Sequence, residues 1–290
     1  MDATRAVELV PQAGVEEVSS RRELMGLALT PPFVVFFLIV VLAVLAPVLA
    51  PYDPVTSVPA DKLLPPSQTH WMGTDSYGFD IWSRVLYATR TDLPVAISSV
   101  VVAVLLGLPL GVISAYLGGW VDLVLMRLVE VGQSFPQILF AMVIFAALGN
   151  SFTTLVLILI VLHLPVYVRM VRSVVLPLRE ADFILAARVV GNGTTSIIIR
   201  HALPNALVPV FSQFSISAAF AIQLVAGLSF IGLGVRVPEP EWGSMINVGA
   251  HYIIFGQWWP SVFPGLAIFI TAYALTGIGN RLRRVSLREA

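Results

Sequence analysis

Leu93-Pro94-Val95-Ala96-Ile97-Ser98-Ser99-Val100-Val101-Val102-Ala103-Val104-Leu105-Leu106-Gly107-Leu108-Pro109-Leu110-Gly111-Val112-Ile113-Ser114-Ala115-Tyr116 follows Asp92 without one charged side chain. A helix crossing a hydrocarbon core of about 30 Å needs roughly 20 apolar residues. A charge at its centre costs on the order of 2.5–3.5 kcal/mol. No water in that core satisfies backbone groups, so helices are expected. The stretch therefore predicts a membrane span from about Leu93 to Tyr116, and the other charge-poor stretches locate its companions.

A first span is predicted from Phe33 to about Ala50. The gap between Glu130 and Arg169 is long enough for two passes, split at Gly149-Asn150-Ser151, where Gly and Asn favour a turn. The third span then runs from about Leu123 to Leu148 and the fourth from about Phe152 to Val171. A fifth is expected from about Leu207 to Leu228 and a sixth from about Val262 to Ile278. The expected fold class is all-α integral membrane with about six transmembrane helices.

Composition agrees. The chain is 57% hydrophobic and 12% charged, against about 45–50% and about 25% in soluble domains. Its mean hydropathy is +0.88. Formal net charge is zero, so no global basic field invites nucleic acid. The absence of cysteine excludes disulfides, thiolate metal sites and a cysteine nucleophile.

Six passes place both termini on one side. Arg5, Arg21, Arg22, Arg127, Arg169, Arg172, Arg179, Arg188, Arg200, Arg281, Arg283, Arg284 and Arg288 fall there, and Lys62, Arg84, Arg90 and Arg236 fall opposite. This split of the 17 basic residues predicts cytoplasmic termini by the positive-inside rule. Arg21-Arg22 and Val48-Leu49-Ala50 resemble parts of an export signal. The apolar run is long for one and Pro51 would follow the cut, so an uncleaved helix is expected. The organisation expected is a cytoplasmic tail (1–30), a first span with external loop (31–91), a core transmembrane domain (92–280) with a cytoplasmic loop at 176–206, and a cytoplasmic tail (281–290).

Three segments lie between spans. The first, Pro51 to Thr91, is proline-rich and irregular. Near its end Ile81, Trp82, Val85 and Leu86 recur at helical spacing, reading as a short amphipathic surface helix or a capped loop. The second is cytoplasmic. Glu180 to Val190 reads as a short helix ended by Gly191-Asn192-Gly193. Thr194 or Thr195 caps a second short helix, and Pro204 is expected to end it. Ala186 and Ala187 would let another backbone approach closely. The third, Ser229 to Pro260, is external and ends at Trp258-Trp259, expected as an interfacial anchor.

Catalytic signatures are missing. No Gly-x-x-x-x-Gly-Lys phosphate loop, His-Glu-x-x-His motif or Gly-x-Ser-x-Gly elbow occurs. His163 lies inside the fourth span and Glu130 near the inner end of the third, which makes them candidate intramembrane polar or pathway groups. A buried, hydrogen-bonded role is the plainer reading of His163. Gly107-x-x-x-Gly111 suits either close helix packing or a kink at Pro109. A secondary carrier using His163 or Glu130, or a nontransporting scaffold, remains compatible with these features alone.

The cytoplasmic segment resembles the loop of permease subunits of binding-protein-dependent ABC importers, through Ala186-Ala187, Gly191 and Leu203-Pro204. Further blocks resemble the second (C-type) permease of the dipeptide/oligopeptide/nickel branch. These are Ala50-Pro51-Tyr52-Asp53-Pro54, Gly73-Thr74-Asp75, Gly78-x-Asp80, Ser83-Arg84, Gly118-Gly119-Trp120-Val121-Asp122, Met126-Arg127 and Phe135-Pro136. Arg200-His201-x-Leu203-Pro204-Asn205, Gly227-Leu228-Ser229-Phe230-x-Gly232-Leu233-Gly234 and Trp242-Gly243 complete the set, spread over residues 30–280. Three positions depart from the pattern: Leu185 replaces the usual Glu, Phe79 replaces a common Arg, and the tail differs after Arg281.

The resemblance implies a type I ABC importer transmembrane fold in a bacterial or archaeal cytoplasmic membrane. It implies a second homologous permease, two ATP-binding subunits and an external solute-binding protein as partners. ATP and Mg would sit on the ATPase subunits, and this chain would bind no cofactor or metal and catalyse nothing. Asp182, Ala186, Ala187, Gly191, Arg200 and Pro204 would belong to the ATPase-coupling loop. Peptides are the first substrate implied, with nickel, glutathione or oligosaccharides as alternatives.

Overall fold

The computed structural model describes residues 30–235 and 237–286. The tail expected at 1–30, with Arg5, Arg21 and Arg22, therefore lies almost wholly outside the described residues, as do Arg236 and Arg288.

Pro31-Pro32 opens helix α1 (Pro31–Leu49), a position where the missing N–H of proline is harmless. Only Pro32, Ala43 and Ala46 of α1 are buried, while Phe36, Ile39 and Val40 pack half-buried against the core. Helix α2 (Ile81–Leu117) is 37 residues long. It corrects the sequence expectation: Ile81, Trp82, Val85 and Leu86 form no separate surface helix but the first turns of the second span. Asp80 caps it, accepting from Ser83 N at 2.8 Å. Asp92 seemed to bound the span and Arg84 to lie outside it, yet both are buried and bonded inside the protein. A charge marks the hydrocarbon edge only when its side chain faces lipid.

The third span is also corrected. It is two helices, α3 (Gly119–Ser134) and α4 (Gln137–Leu148), meeting at 91°. Pro136 is the cause, since it excludes Phe135 from the helical region, and Phe135 sits at φ −90°, ψ 137°. The break at Gly149-Asn150-Ser151 is as expected: Gly149 has φ +82°, and Ser151 Oγ accepts from Thr154 N at 3.2 Å to start α5 (Phe152–Leu178). Helix α5 continues beyond Val171 and keeps Arg169 and Arg172 helical.

Helices α6 (Asp182–Val189) and α7 (Thr194–Ile197) form the expected pair of short helices. A π-helical turn over Ile198–Ala202 then leads directly into α8 (Leu203–Phe230). Pro204 thus does not end the helix. The wider turn, closed by Leu203 N donating to Ile198 O, makes room for a proline whose ring would clash with an ordinary preceding turn. The last interspan segment, read as a loop, contains helix α9 (Trp242–Ala250), and α10 (Trp259–Ser286) follows.

The most extensive pairing is α2 with α5. A Cβ on Gly107 would lie 2.6 Å from Tyr167 Cβ, and one on Gly111 would lie 2.7 Å from both Val168 O and Val171 Cβ. The two glycines therefore set the distance between these helices, which decides for packing over a kink. Gly279 does the same between α10 and α8, where a Cβ would stand 2.8 Å from Ser212 O. Trp259 is buried, donating its Nε1–H to Thr74 O at 3.1 Å, and so is no interfacial anchor; Trp258 beside it is exposed.

Candidate functional site

Helix α6 ends in a Schellman cap: Asn192 N donates to Ala187 O at 3.0 Å, and Gly191 takes φ +91°, a conformation that glycine adopts without strain. Ile184 and Ile197, each 1% exposed, show that one side of each short helix is covered. The other side is unusual. Leu185 is 45%, Val189 88% and Val190 83% exposed, and Asp182, Ala186, Gly191, Arg200 and Pro204 are exposed with them, while Ala187 is half-buried. Sequence reasoning named the small residues and missed this apolar face. The signal was present in the Leu185/Val189 spacing, a four-residue repeat on one helical face.

Close by in the chain, Asp122 at the start of α3 clamps Arg172 of α5. Arg172 Nε donates at 2.6 Å to Oδ1 and its Nη2 at 2.7 Å to Oδ2, while Ser114 Oγ of α2 donates to Oδ1 at 2.5 Å. Three helices meet in this bidentate arrangement, the strong form of an Arg–carboxylate pair. Gly118 separates α2 from α3 with φ +64°.

The two intramembrane candidates fall apart in space and character. His163 is buried, and its Nδ1–H donates to Leu159 O at 2.7 Å. Its ring meets Phe220 of α8 edge-on at 6.0 Å. Glu130 is exposed on α3 and accepts from Arg127 Nη1 at 2.7 Å, one turn away.

The interspan segments cover the start of α2. Arg84, 1% exposed, donates to Pro54 O at 2.6 Å, Pro238 O at 2.8 Å and Glu239 O at 3.3 Å. It stacks on Phe79 at 4.4 Å. One guanidinium thus ties both interspan segments to the second span. Glu241, fully buried, caps α9 by accepting from Gly243 N at 2.8 Å and Ser244 N at 2.6 Å. Burial pushes its carboxyl above the ordinary glutamate value, and burial does the same to Asp75. Trp242 follows, donating N–H to Asp92 Oδ2 at 3.1 Å and Nε1–H to Val85 O at 3.1 Å. A Cβ on Gly243 would stand 2.4 Å from Ala226 O, so α9 rests directly on the backbone of α8. None of Arg84, Asp92 or Asp122 was singled out as a site from sequence, because the backbone or charged partners that hold them lie 30 to 155 residues away. Among the described residues no cluster of His, Asp and Glu could hold a metal.

Comparison with known proteins bears on what this arrangement serves. Residues 107–286 match the family described as binding-protein-dependent transport system inner membrane component. The dipeptide transport system permease protein DppC of Alkalihalophilus pseudofirmus is 36% identical over 244 residues, 84% of this chain and 80% of the relative. The glutathione transport system permease protein GsiD of Pectobacterium atrosepticum is 36% identical over 247 residues, 85% and 82% of the two chains. Among solved structures, inward-facing conformations of the MetNI methionine ABC transporter match with a TM-score of 0.57 at 19% identity, over 71% of this chain and 97% of that one. That likeness is one of fold.

Proposed function

The chain belongs to the family of binding-protein-dependent transport system inner membrane components, and from that premise we propose that it forms half of a translocation pathway for di- or oligopeptides. It is a multi-pass permease subunit of an ABC importer and not an enzyme. The peptide assignment rests on relatives named for dipeptides and peptides; glutathione, named for another, is itself a small peptide.

In this reading the second permease subunit is homologous. Two ATP-binding subunits, carrying ATP and Mg, sit below, and an external binding protein delivers solute. Both termini and the 176–206 loop face the cytoplasm, and 92–280 forms the core permease domain. Asp182, Ala186, Ala187, Gly191, Arg200 and Pro204 make the coupling element, with α6 seated in a groove of one ATPase. The observation that carries this is the exposed apolar surface that Leu185 and Val189 of α6 make with the following Val190, on a segment outside the spans. Such a face is costly in water and is explained by a partner. Leu185 is then a contact of the docked surface. His163 serves as a packing group between α5 and α8, and Glu130 as a surface partner of Arg127.

The test is a mild-detergent pull-down from native membranes, with mass spectrometry of what accompanies the chain, for wild type and Ala187→Glu. Recovery of a second permease and ATPase subunits with wild type, and loss of the ATPase from the variant, is the expected outcome. Recovery of the chain alone from wild-type membranes would refute the assembly; ATPase retained by the variant, with normal uptake, would refute the docking role.

A further inference from the structure

A guanidinium without an anion lies on the outer half of the second span. Arg90 of α2 is exposed, and its charge meets only the Tyr87 ring, at 5.6 Å. Among the described residues no carboxylate or carbonyl reaches it. It borders a groove of about 520 Å³ between α1 and α2, walled by Val40, Val44, Leu93 and Ile97, a volume within the usual range for a ligand site.

The depth of Arg90 follows from the helix ends. Trp82 Nε1 donates to Leu49 O and Tyr52 N to Ser83 Oγ, each at 3.3 Å, so the top of α2 is level with the top of α1. Arg90 is seven residues further along α2, about 10 Å down its axis. A long arginine side chain recovers several ångströms of that by reaching toward the interface. The guanidinium then sits near the boundary between headgroups and acyl chains, directly above apolar walls. Val44 at 69% exposed opens the α1 side of the groove outward, and Leu93 at 6% exposed forms its floor. An unpaired arginine in a span requires an anion, and the apolar groove below requires a hydrocarbon tail.

We propose that Arg90 and the α1–α2 groove form a binding site for an anionic phospholipid of the outer leaflet. The phosphate accepts from the guanidinium, and one acyl chain lies between Val40, Val44, Leu93 and Ile97. The lipid thereby ties the first span, which shares little buried surface with the rest of the chain, to α2. Only the choice of leaflet rests on the topology proposed above.

The experiment uses the intact protein, with whatever subunits accompany it, in nanodiscs of phosphatidylcholine containing a minority of phosphatidylglycerol. Native mass spectrometry counts retained lipid for wild type, Arg90→Lys, Arg90→Gln and Val44→Trp. Retained phosphatidylglycerol should fall on the order of tenfold in Arg90→Gln and in Val44→Trp, which keeps the charge, and by no more than about threefold in Arg90→Lys. Equal retention in all four would overturn the site. Loss of a second permease from Arg90→Gln with phosphatidylglycerol unchanged would overturn it too, by revealing a partner carboxylate as the anion. In pure phosphatidylcholine, inorganic phosphate matching phosphatidylglycerol in protecting Arg90 from a guanidine-modifying reagent would overturn the lipid source. Failure of the importer reading would show only in the accompanying subunits.

Discussion

Replacing Gly111 by alanine should destabilise the protein, although alanine is the better helix former. The new Cβ would lie 2.7 Å from Val168 O, 2.7 Å from Val171 Cβ and 3.0 Å from Val171 Cγ1. Two of these atoms belong to the backbone and Cβ framework of α5 and cannot rotate away. Ordinary carbon contacts are near 3.5–4.0 Å, so α2 and α5 must separate by about 1 Å near this point. A gap of 0.5–1 Å forfeits roughly a quarter to a half of each dispersion contact along the seam. Overpacking of this kind costs about 1–3 kcal/mol, and helix propensity returns up to about 1 kcal/mol. The net expectation is a loss of about 1–2 kcal/mol. Gly107→Ala meets Tyr167 Cβ at 2.6 Å, and the double variant should lose less than the sum, because the first separation relieves the second clash. Gly132 supplies the control: a Cβ there meets nothing within 4 Å, so Gly132→Ala should stabilise by up to about 1 kcal/mol. Thermal unfolding of the detergent-purified protein, followed by size-exclusion recovery, reads the difference. A Gly111→Ala midpoint equal to or above wild type would refute the claim that these glycines hold the helices together.

Three further outcomes follow from the sites. In a double-mutant cycle, Asp122→Asn and Arg172→Gln should show a coupling of about 1–2 kcal/mol, since the pair is bidentate and only 21% and 29% exposed; additive losses would mean the clamp is incidental. Ala187→Glu should abolish uptake and substrate-stimulated ATP hydrolysis while the protein inserts and folds normally; unchanged coupling would remove α6 from the docking surface. Glu241 has a folded-state pKa raised by burial above 4.5. The folded form binds its proton more tightly, so stability from this group is present below that ordinary value and is lost as pH rises through the raised one. Thermal midpoints from about pH 4 to pH 8 should therefore decline less in Glu241→Gln than in wild type; parallel curves would refute the shift.

Much of the architecture was legible in the amino-acid pattern. Charge-free stretches gave the first, second, fourth, fifth and sixth passes, because a lipid-facing charge is expensive and apolar length must match the bilayer. The turn at Gly149-Asn150-Ser151 and the cap at Gly191 were readable because both depend on local backbone preference. Local rules failed where a neighbour intervened. Pro204 was read as a helix stop, but a π turn before it lets the helix continue. Pro136 was quoted without being read as a break, and it bends the third span by 91°.

The sequence by itself determined the solvent, the class of fold, the family and the pair of short helices after the fourth span, all of which rest on composition, periodicity and motifs along one dimension. Only the tertiary structure decided which charges are tolerated and why. Arg84 is held by three carbonyls from two distant segments, Asp92 by the backbone of Trp242, and Asp122 by Arg172. Each is a compensation between residues far apart in the chain. No local pattern encodes it, since burial of a charge is stable only when the fold delivers its partner.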